Sequence, residues 1–296
     1  INATGVFAEE IIRMDQPKIE KMIQPSQGVH IVLERRFLKS KHAILIPQTS
    51  DGRVLFAVPW KNYVVVGTTD THVKKASEEP KALKEEVDFI LKNAGKYMSV
   101  KPKRDDIKSV FAGLRPLAAT SNKQSTKEVS RSHKIDISPS GLISVLGGKW
   151  TTYRKIAEDA LNTAISINKL KKKKCKTERT KLFGFKRNVS WSDPMHVYGS
   201  LKKKVESLGG INDNKSLSNK FYISNNIIEW SIIHEMALTV EDIMARRTRC
   251  VFLDSKESKR IAPIVAQKMA DVLGEDDKWI DAELKKFNKL IKNYIV

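Results

Sequence analysis

Hydrophobic positions along this chain follow two different spacings. Up to about residue 150 they gather in short runs rich in β-branched and aromatic residues, the signature of strands: 29–37, 43–47, Val54 to Val58, Tyr63 to Thr68, Ile107 to Leu114, Lys134 to Ser138 and Leu142 to Leu146. Lys61-Asn62 and Pro139-Ser140-Gly141 join neighbouring runs as hairpin turns, and Val64, Val65 and Val66 in succession predict a strand covered on both faces. Two helices interrupt the strands. Val6 to Met14 forms the first, with Pro17 and Pro25 punctuating its exit, and 80–96 the second, where Leu83, Val87, Ile90, Leu91 and Ala94 recur at helical spacing behind Pro80.

From Tyr153 onward the spacing is almost wholly helical. A helix at 151–167 runs into four consecutive lysines, Lys171 to Lys174, read as an exposed connector. Helices are expected after it at 193–207, 225–238, 240–247, 256–273 and 277–294, with Gly274 as a C-terminal cap. Trp191, Trp230, Trp279 and Phe287 are expected to fill the core of this bundle. The boundary between the strand-rich and helical parts falls between 166 and 182.

The junction carries the most informative string, GGKWTTYRKIA at 147–157. Two glycines at a strand end let the backbone approach a ligand closely and reach positive φ. The helix behind them presents unpaired N–H groups and the positive end of its dipole. Lys149 adds a full charge, so a phosphate, a carboxylate or the electron-rich edge of a reduced flavin would each suit the turn. A Gly-Gly bend whose threonines only cap a helix is the structural alternative.

Composition narrows the partners. The 296 residues carry a net charge of +20, and 166–220 hold 15 Lys or Arg against 4 Asp or Glu, a surface that attracts nucleic acid or an anionic lipid face. Zinc-finger spacing and RNP-type aromatic motifs are absent from the sequence, which disfavours specific nucleic-acid recognition. Two cysteines, Cys175 and Cys250, exclude a disulfide framework and a cysteine-based metal cluster within one chain, and a reducing compartment is the natural reading. Paired glycosidase carboxylates, a nucleophilic serine elbow and a P-loop are also absent, and no metal site is expected.

The 147–157 string resembles a signature of the FAD-dependent glycerol-3-phosphate dehydrogenases, G-G-K-x-x-[small]-Y-R-x-x-A. INATG at 1–5, QGVHIVL at 27–33, VPWKNYVVVGTTDT at 58–71, FAGLRPL at 111–117 and SRSHKIDISPSGLISVLGGKW at 130–150 resemble the same family in the same order. Beyond 165 the resemblance weakens to TVEDIMARRTR at 239–249. It implies an α/β plus all-α fold: an incomplete FAD-binding Rossmann-like domain with an inserted mixed or antiparallel substrate-domain sheet, then a helical C-terminal domain. The expected division is 1–170, with flavin-binding parts at about 1–27 and 116–170 around a sheet at about 28–115, and 171–296.

The same resemblance assigns roles. Ala3, Thr4, Gly5, Gly147, Gly148, Lys149, Thr151 and Thr152 become flavin contacts. Arg115, held extended by Pro116, and Arg131 become ligands for the phosphate of glycerol 3-phosphate, and His30 becomes the acceptor of the hydroxyl proton. Thr68, Thr69 and Asp70 are expected either to position substrate or to form an ordinary turn, while His72, His133, His196 and His234 receive no role. Quinone as electron acceptor, a cytoplasmic location against the inner face of the cell membrane, and a homodimer as candidate assembly are further implications. No G-x-G-x-x-G occurs in the sequence, so the family's pyrophosphate motif is expected to precede Ile1, and this portion alone is expected to bind FAD poorly and to show no turnover. A related FAD-dependent amine or amino-acid oxidase, with Arg115 on a carboxylate, is the alternative enzyme. A basic nucleic-acid-binding module is the alternative of another class.

Overall fold

A computed structural model describes residues 1–118 and 133–296. In chain order its elements are α1 (Ala8–Asp15), β1 (Ile23–Glu34), β2 (Ile44–Ile46), β3 (Leu55–Trp60), β4 (Tyr63–Gly67), β5 (Thr71–His72), α2 (Lys84–Ala94), β6 (Ser109–Ala118), β7 (His133–Ile137), β8 (Ile143–Gly147) and α3 (Tyr153–Ile167). These are followed by α4 (Lys202–Glu206), α5 (Asn225–Glu235), a π-helical turn at Asp242–Arg247, α6 (Cys250–Leu253), α7 (Ser255–Leu273) and α8 (Asp277–Leu290). The chain packs as two compact units: Ile1–Val29, Thr69–Pro80 and Ala112–Lys181 in the first, His30–Thr68, Lys81–Phe111 and Leu182–Val296 in the second.

In the first unit β7 and β8 form an antiparallel hairpin in the register His133 to Gly147 and Ile137 to Ile143. Helices α1 and α3 both pack against β8, and Ala8, Ile12, Ile23 and Leu146 form a small buried cluster. The start of β1 pairs with β5, Ser26 opposite His72.

The second unit is built on the antiparallel order β2-β3-β4-β1. The two-residue turn Lys61-Asn62 closes the β3–β4 hairpin, with Lys61 in the left-handed region at φ 54°, the geometry that matches strand twist in such short loops. Val32 and Tyr63 of this sheet share one hydrophobic core with Ile228, Met244, Ile261 and Phe287 of the helical part. Packing therefore joins the sheet to the helical residues, a grouping that the change of spacing along the chain does not report. Helix α7 buries Ser258, Ile261, Ala262, Val265, Ala266 and Met269 on one face. Its ends are set by Asp254, whose carboxylate accepts the Glu257 N–H at 3.0 Å, and by Gly274 at φ 74°. Among the described residues no helix is long and apolar enough to cross a membrane.

Several local expectations are corrected. Trp191 is 82% exposed and contributes no core, whereas Trp230 and Phe287 are buried. The helix expected at 193–207 is a 3₁₀ stretch, His196–Leu201, leading into the short α4. Gly199 breaks it at φ 52°, ψ −116°, where its backbone passes close to that of Gly184. Pro25 lies inside β1 rather than before it, and its carbonyl accepts the Val73 N–H at 3.2 Å. Helix α2 starts four residues after Pro80, where Glu86 accepts the Leu83 N–H at 2.9 Å.

Candidate cofactor and substrate site

The GGK turn grows out of β8. Gly147 and Gly148 both take left-handed φ, 70° and 91°, which only glycine adopts without strain. Space makes a second demand, since a Cβ on Gly148 would lie 2.6 Å from Ile156 Cδ1 and 3.2 Å from His133 Cβ. Lys149 follows, exposed, and its carbonyl accepts both the N–H and the hydroxyl of Thr152 at 3.0 Å. The threonine hydroxyl is thereby used inside the 3₁₀ turn Trp150–Thr152, and α3 begins at Tyr153, two residues later than the sequence pattern places it.

The INATG segment lies beside the same strand. Asn2 donates its N–H to the Ile143 carbonyl at 2.7 Å and accepts from the Val145 N–H at 2.9 Å, a parallel bridge to β8. Its buried side chain donates to the Ala8 carbonyl at 2.9 Å and accepts from the Thr4 hydroxyl at 2.8 Å. Burial with all of these bonds made fixes the turn carrying Ala3 and Gly5.

Between these segments, within the first unit, lies a cavity of about 810 Å³. Ala3, Gly5, Arg115, Gly147, Gly148 and Lys149 line it, so the structure gathers most of the residues picked from sequence around one space. Thr4, Thr151 and Thr152 are not among its lining residues. The remaining wall is apolar: Leu114, Leu117, Ile156 and Leu161, with Trp150 and Tyr153 stacked at 5.6 Å between ring centroids. A planar ring system fits such walls, glycine backbones admit its edge, and the Lys149 ammonium and the first turn of α3 supply positive potential there. The donor set and shape therefore suit the flavin ring of FAD.

Arg115 sits on β6 and is held from three sides. Its Nη2 donates to the Thr69 carbonyl at 3.2 Å, its Nη1 is 3.9 Å from Asp70 Oδ1, and its guanidinium lies close against Gly28, where a Cβ would fall 2.7 Å from Cζ. Thr69 is in turn fixed, its buried hydroxyl accepting the Val29 N–H at 3.0 Å, and the Ser26 hydroxyl donates to Asp70. With 34% of its side chain exposed, Arg115 retains a face toward the cavity, and a planar guanidinium suits bidentate binding of phosphate or carboxylate.

His30 belongs to the second unit. It stands on β1 opposite Gly67, half-buried, with its ring stacked on Phe111 at 5.2 Å and 15°. Arg131 lies outside the described residues. Of the histidines given no role, His133 has a carboxylate partner after all, its Nε2 3.1 Å from Asp159 Oδ2. The residues are 26 apart, beyond the reach of local spacing rules. Sequence reasoning also missed Asn2 and Gly28. An isolated glycine inside a strand signals close approach of another group, and that signal was available for Gly28.

Comparison with known proteins identifies the family. Residues 1–154 match the family described as FAD dependent oxidoreductase, and residues 143–280 match the C-terminal domain of alpha-glycerophosphate oxidase. The mitochondrial glycerol-3-phosphate dehydrogenase of Mesocricetus auratus is 33% identical over 98% of this chain and 43% of its own length. The probable mitochondrial glycerol-3-phosphate dehydrogenase of Dictyostelium discoideum is 34% identical over 100% of this chain and 50% of its own. The chain thus spans half or less of these curated relatives. An X-ray structure of the glycerol-3-phosphate dehydrogenase from Bacillus halodurans complexed with FAD superimposes with a TM-score of 0.80 at 25% identity, over 99% of this chain and 62% of that one. With more than half of its residues matching that family, and with a glycine turn, a lysine and an apolar wall that fit a flavin ring, the chain belongs to the FAD-dependent oxidoreductases.

Proposed function

We propose that these residues form the flavin-ring and phosphate-binding part of an enzyme that oxidises sn-glycerol 3-phosphate to dihydroxyacetone phosphate and passes the electrons to membrane quinone. The observation that carries this reading is that Arg115 and the Gly147–Lys149 turn line one cavity. When bound, FAD supplies the acceptor for the hydride that leaves C2 of the substrate. Arg115, oriented by Thr69 and Asp70, binds the substrate phosphate. Lys149 stabilises the negative charge that develops in the cavity, and the apolar wall excludes water. His30 takes the proton of the C2 hydroxyl, so that the carbon loses a hydride and the oxygen a proton, leaving the ketone.

Adding glycerol 3-phosphate anaerobically to the FAD-loaded intact enzyme that carries these residues is expected to bleach the flavin absorbance, with amino acids without effect. Bleaching by amino acids alone would overturn the reading in favour of an oxidase of that class. Arg115→Ala is expected to lower kcat/KM about 100-fold or more, chiefly through KM, as loss of a charge-assisted bidentate contact does. Peripheral attachment to an anionic membrane face gives the basic surface of 166–220 a use. It predicts salt-sensitive binding to phosphatidylserine or cardiolipin vesicles and none to neutral ones. Assembly as a homodimer is checked by sedimentation of the holoenzyme.

A further inference from the structure

Gly148 is wedged between two elements, His133 at the start of β7 on one side and Ile156 in the first turn of α3 on the other. His133 stands opposite Gly147 in the hairpin register. Asp159 lies three residues beyond Ile156, on the same face of α3. Its Oδ2 meets His133 Nε2 at 3.1 Å, while its Oδ1 accepts from the Lys155 ammonium at 2.6 Å. Lys155 thus fixes one carboxylate oxygen and leaves the other aimed at the imidazole. The side chains of His133 and Asp159 are 23% and 28% exposed, so the bond is shielded from most of the solvent. Two successive left-handed glycines are the backbone most prone to sample other conformations, and here the strand before them and the helix after them are tied together across the turn.

We propose that His133 and Asp159 are positioning residues, a clamp that holds the Gly147–Gly148 turn, and with it Lys149, in the geometry that receives the flavin. The inference rests on the flavin reading above. An imidazole N–H donates to a carboxylate in the neutral as well as the protonated ring, so the clamp does not depend on the charge of His133. It acts through the backbone, and neither side chain lines the cavity.

The test measures FAD dissociation constant, flavin midpoint potential and KM for glycerol 3-phosphate in the holoenzyme and in its His133→Ala, His133→Gln and Asp159→Ala variants. Both alanine variants are expected to bind FAD about 5- to 10-fold more weakly, the scale of a partly shielded charge-assisted hydrogen bond. The midpoint potential falls with them, because a loosened Lys149 stabilises the reduced cofactor less, while KM stays within about 2-fold because Arg115 is held by other residues. Glutamine carries an N–H at the reach of Nε2, and His133→Gln is expected to restore affinity and potential to within about 2-fold of wild type. Alanine variants with unchanged affinity and potential, or a glutamine variant no better than alanine, overturn the clamp alone. An intact wild-type enzyme carrying these residues that takes up no FAD overturns the flavin reading and the clamp together.

Discussion

The two units use apolar residues for opposite purposes. In the second, the sheet residues Val32 and Tyr63 and helices α5, α7 and α8 close on a continuous core in which large side chains such as Ile228, Ile243 and Phe287 are fully or almost fully buried. In the first, Ala8, Ile12, Ile23 and Leu146 form a small buried cluster among the described residues, and other apolar residues line a cavity, with Trp150 86% exposed at its edge. Each large side chain buried on folding contributes about 1.5–3 kcal/mol, and a cavity wall forgoes that contribution. Polar bonds hold the first unit's shape instead: Asn2 to β8 and Ala8, Thr69 to Val29 and Arg115, and His133 to Asp159. Stability thus resides mainly in the second unit and ligand geometry in the first.

This division is sharpest in core truncation. Phe287→Ala is expected to cost about 3–5 kcal/mol, the usual penalty for emptying a buried aromatic site, and to make the Cys250 thiol, buried in the same core, react with a disulfide reagent alongside the exposed Cys175. In the native protein only Cys175 should label, since burial pushes the Cys250 thiol up to about 12. Loss of FAD affinity in Phe287→Ala while the fold persists would break the division. The reverse experiment is Gly148→Ala, which forces a Cβ against Ile156 and His133 at a φ that alanine tolerates poorly. About 1–3 kcal/mol of strain should appear as roughly 5- to 150-fold weaker FAD binding, with Cys250 labelling unchanged.

What was legible in the sequence follows the same line. Period-2 and period-3.6 spacing placed most strands and helices, because those elements bury one face along a contiguous stretch, as in β3 and α7, and the unbroken run Val64 to Val66 placed β4 as a strand covered on both faces. The GGK turn was legible because its conformation is demanded locally, by positive φ and by close approach. Bonds between distant positions were not legible. Nothing near Asn2, His133 or Gly28 names Ser144, Asp159 or Arg115 as partner, since only the fold brings them together. Trp191 failed for a related reason: hydrophobicity marks it as core-like, but the fold leaves it 82% exposed, with the His196 ring 5.1 Å from its own.

The smallest expected effect comes from an ion pair of the second unit. Glu257, in the first turn of α7, accepts both Arg260 Nε at 2.9 Å and Nη2 at 2.7 Å, and also the Ser218 hydroxyl at 2.6 Å. The Arg260 bonds, aided by Ser218, outweigh partial burial and hold its carboxyl at about 2, against 4.5 for an ordinary glutamate. A folded-state value below the unfolded one stabilises the protein above the unfolded value, and the contribution is lost as pH falls toward the folded one. Glu257→Gln should therefore destabilise at pH 7 and progressively less between pH 4.5 and about 2. Because Arg260 is 58% exposed, solvent screening limits the cost to about 1 kcal/mol. Urea titrations of both proteins across that range measure it, and FAD affinity followed in parallel should not change. A cost independent of pH would remove the ion pair from the second unit's stability, and a change in FAD affinity would couple the two units that the packing describes separately.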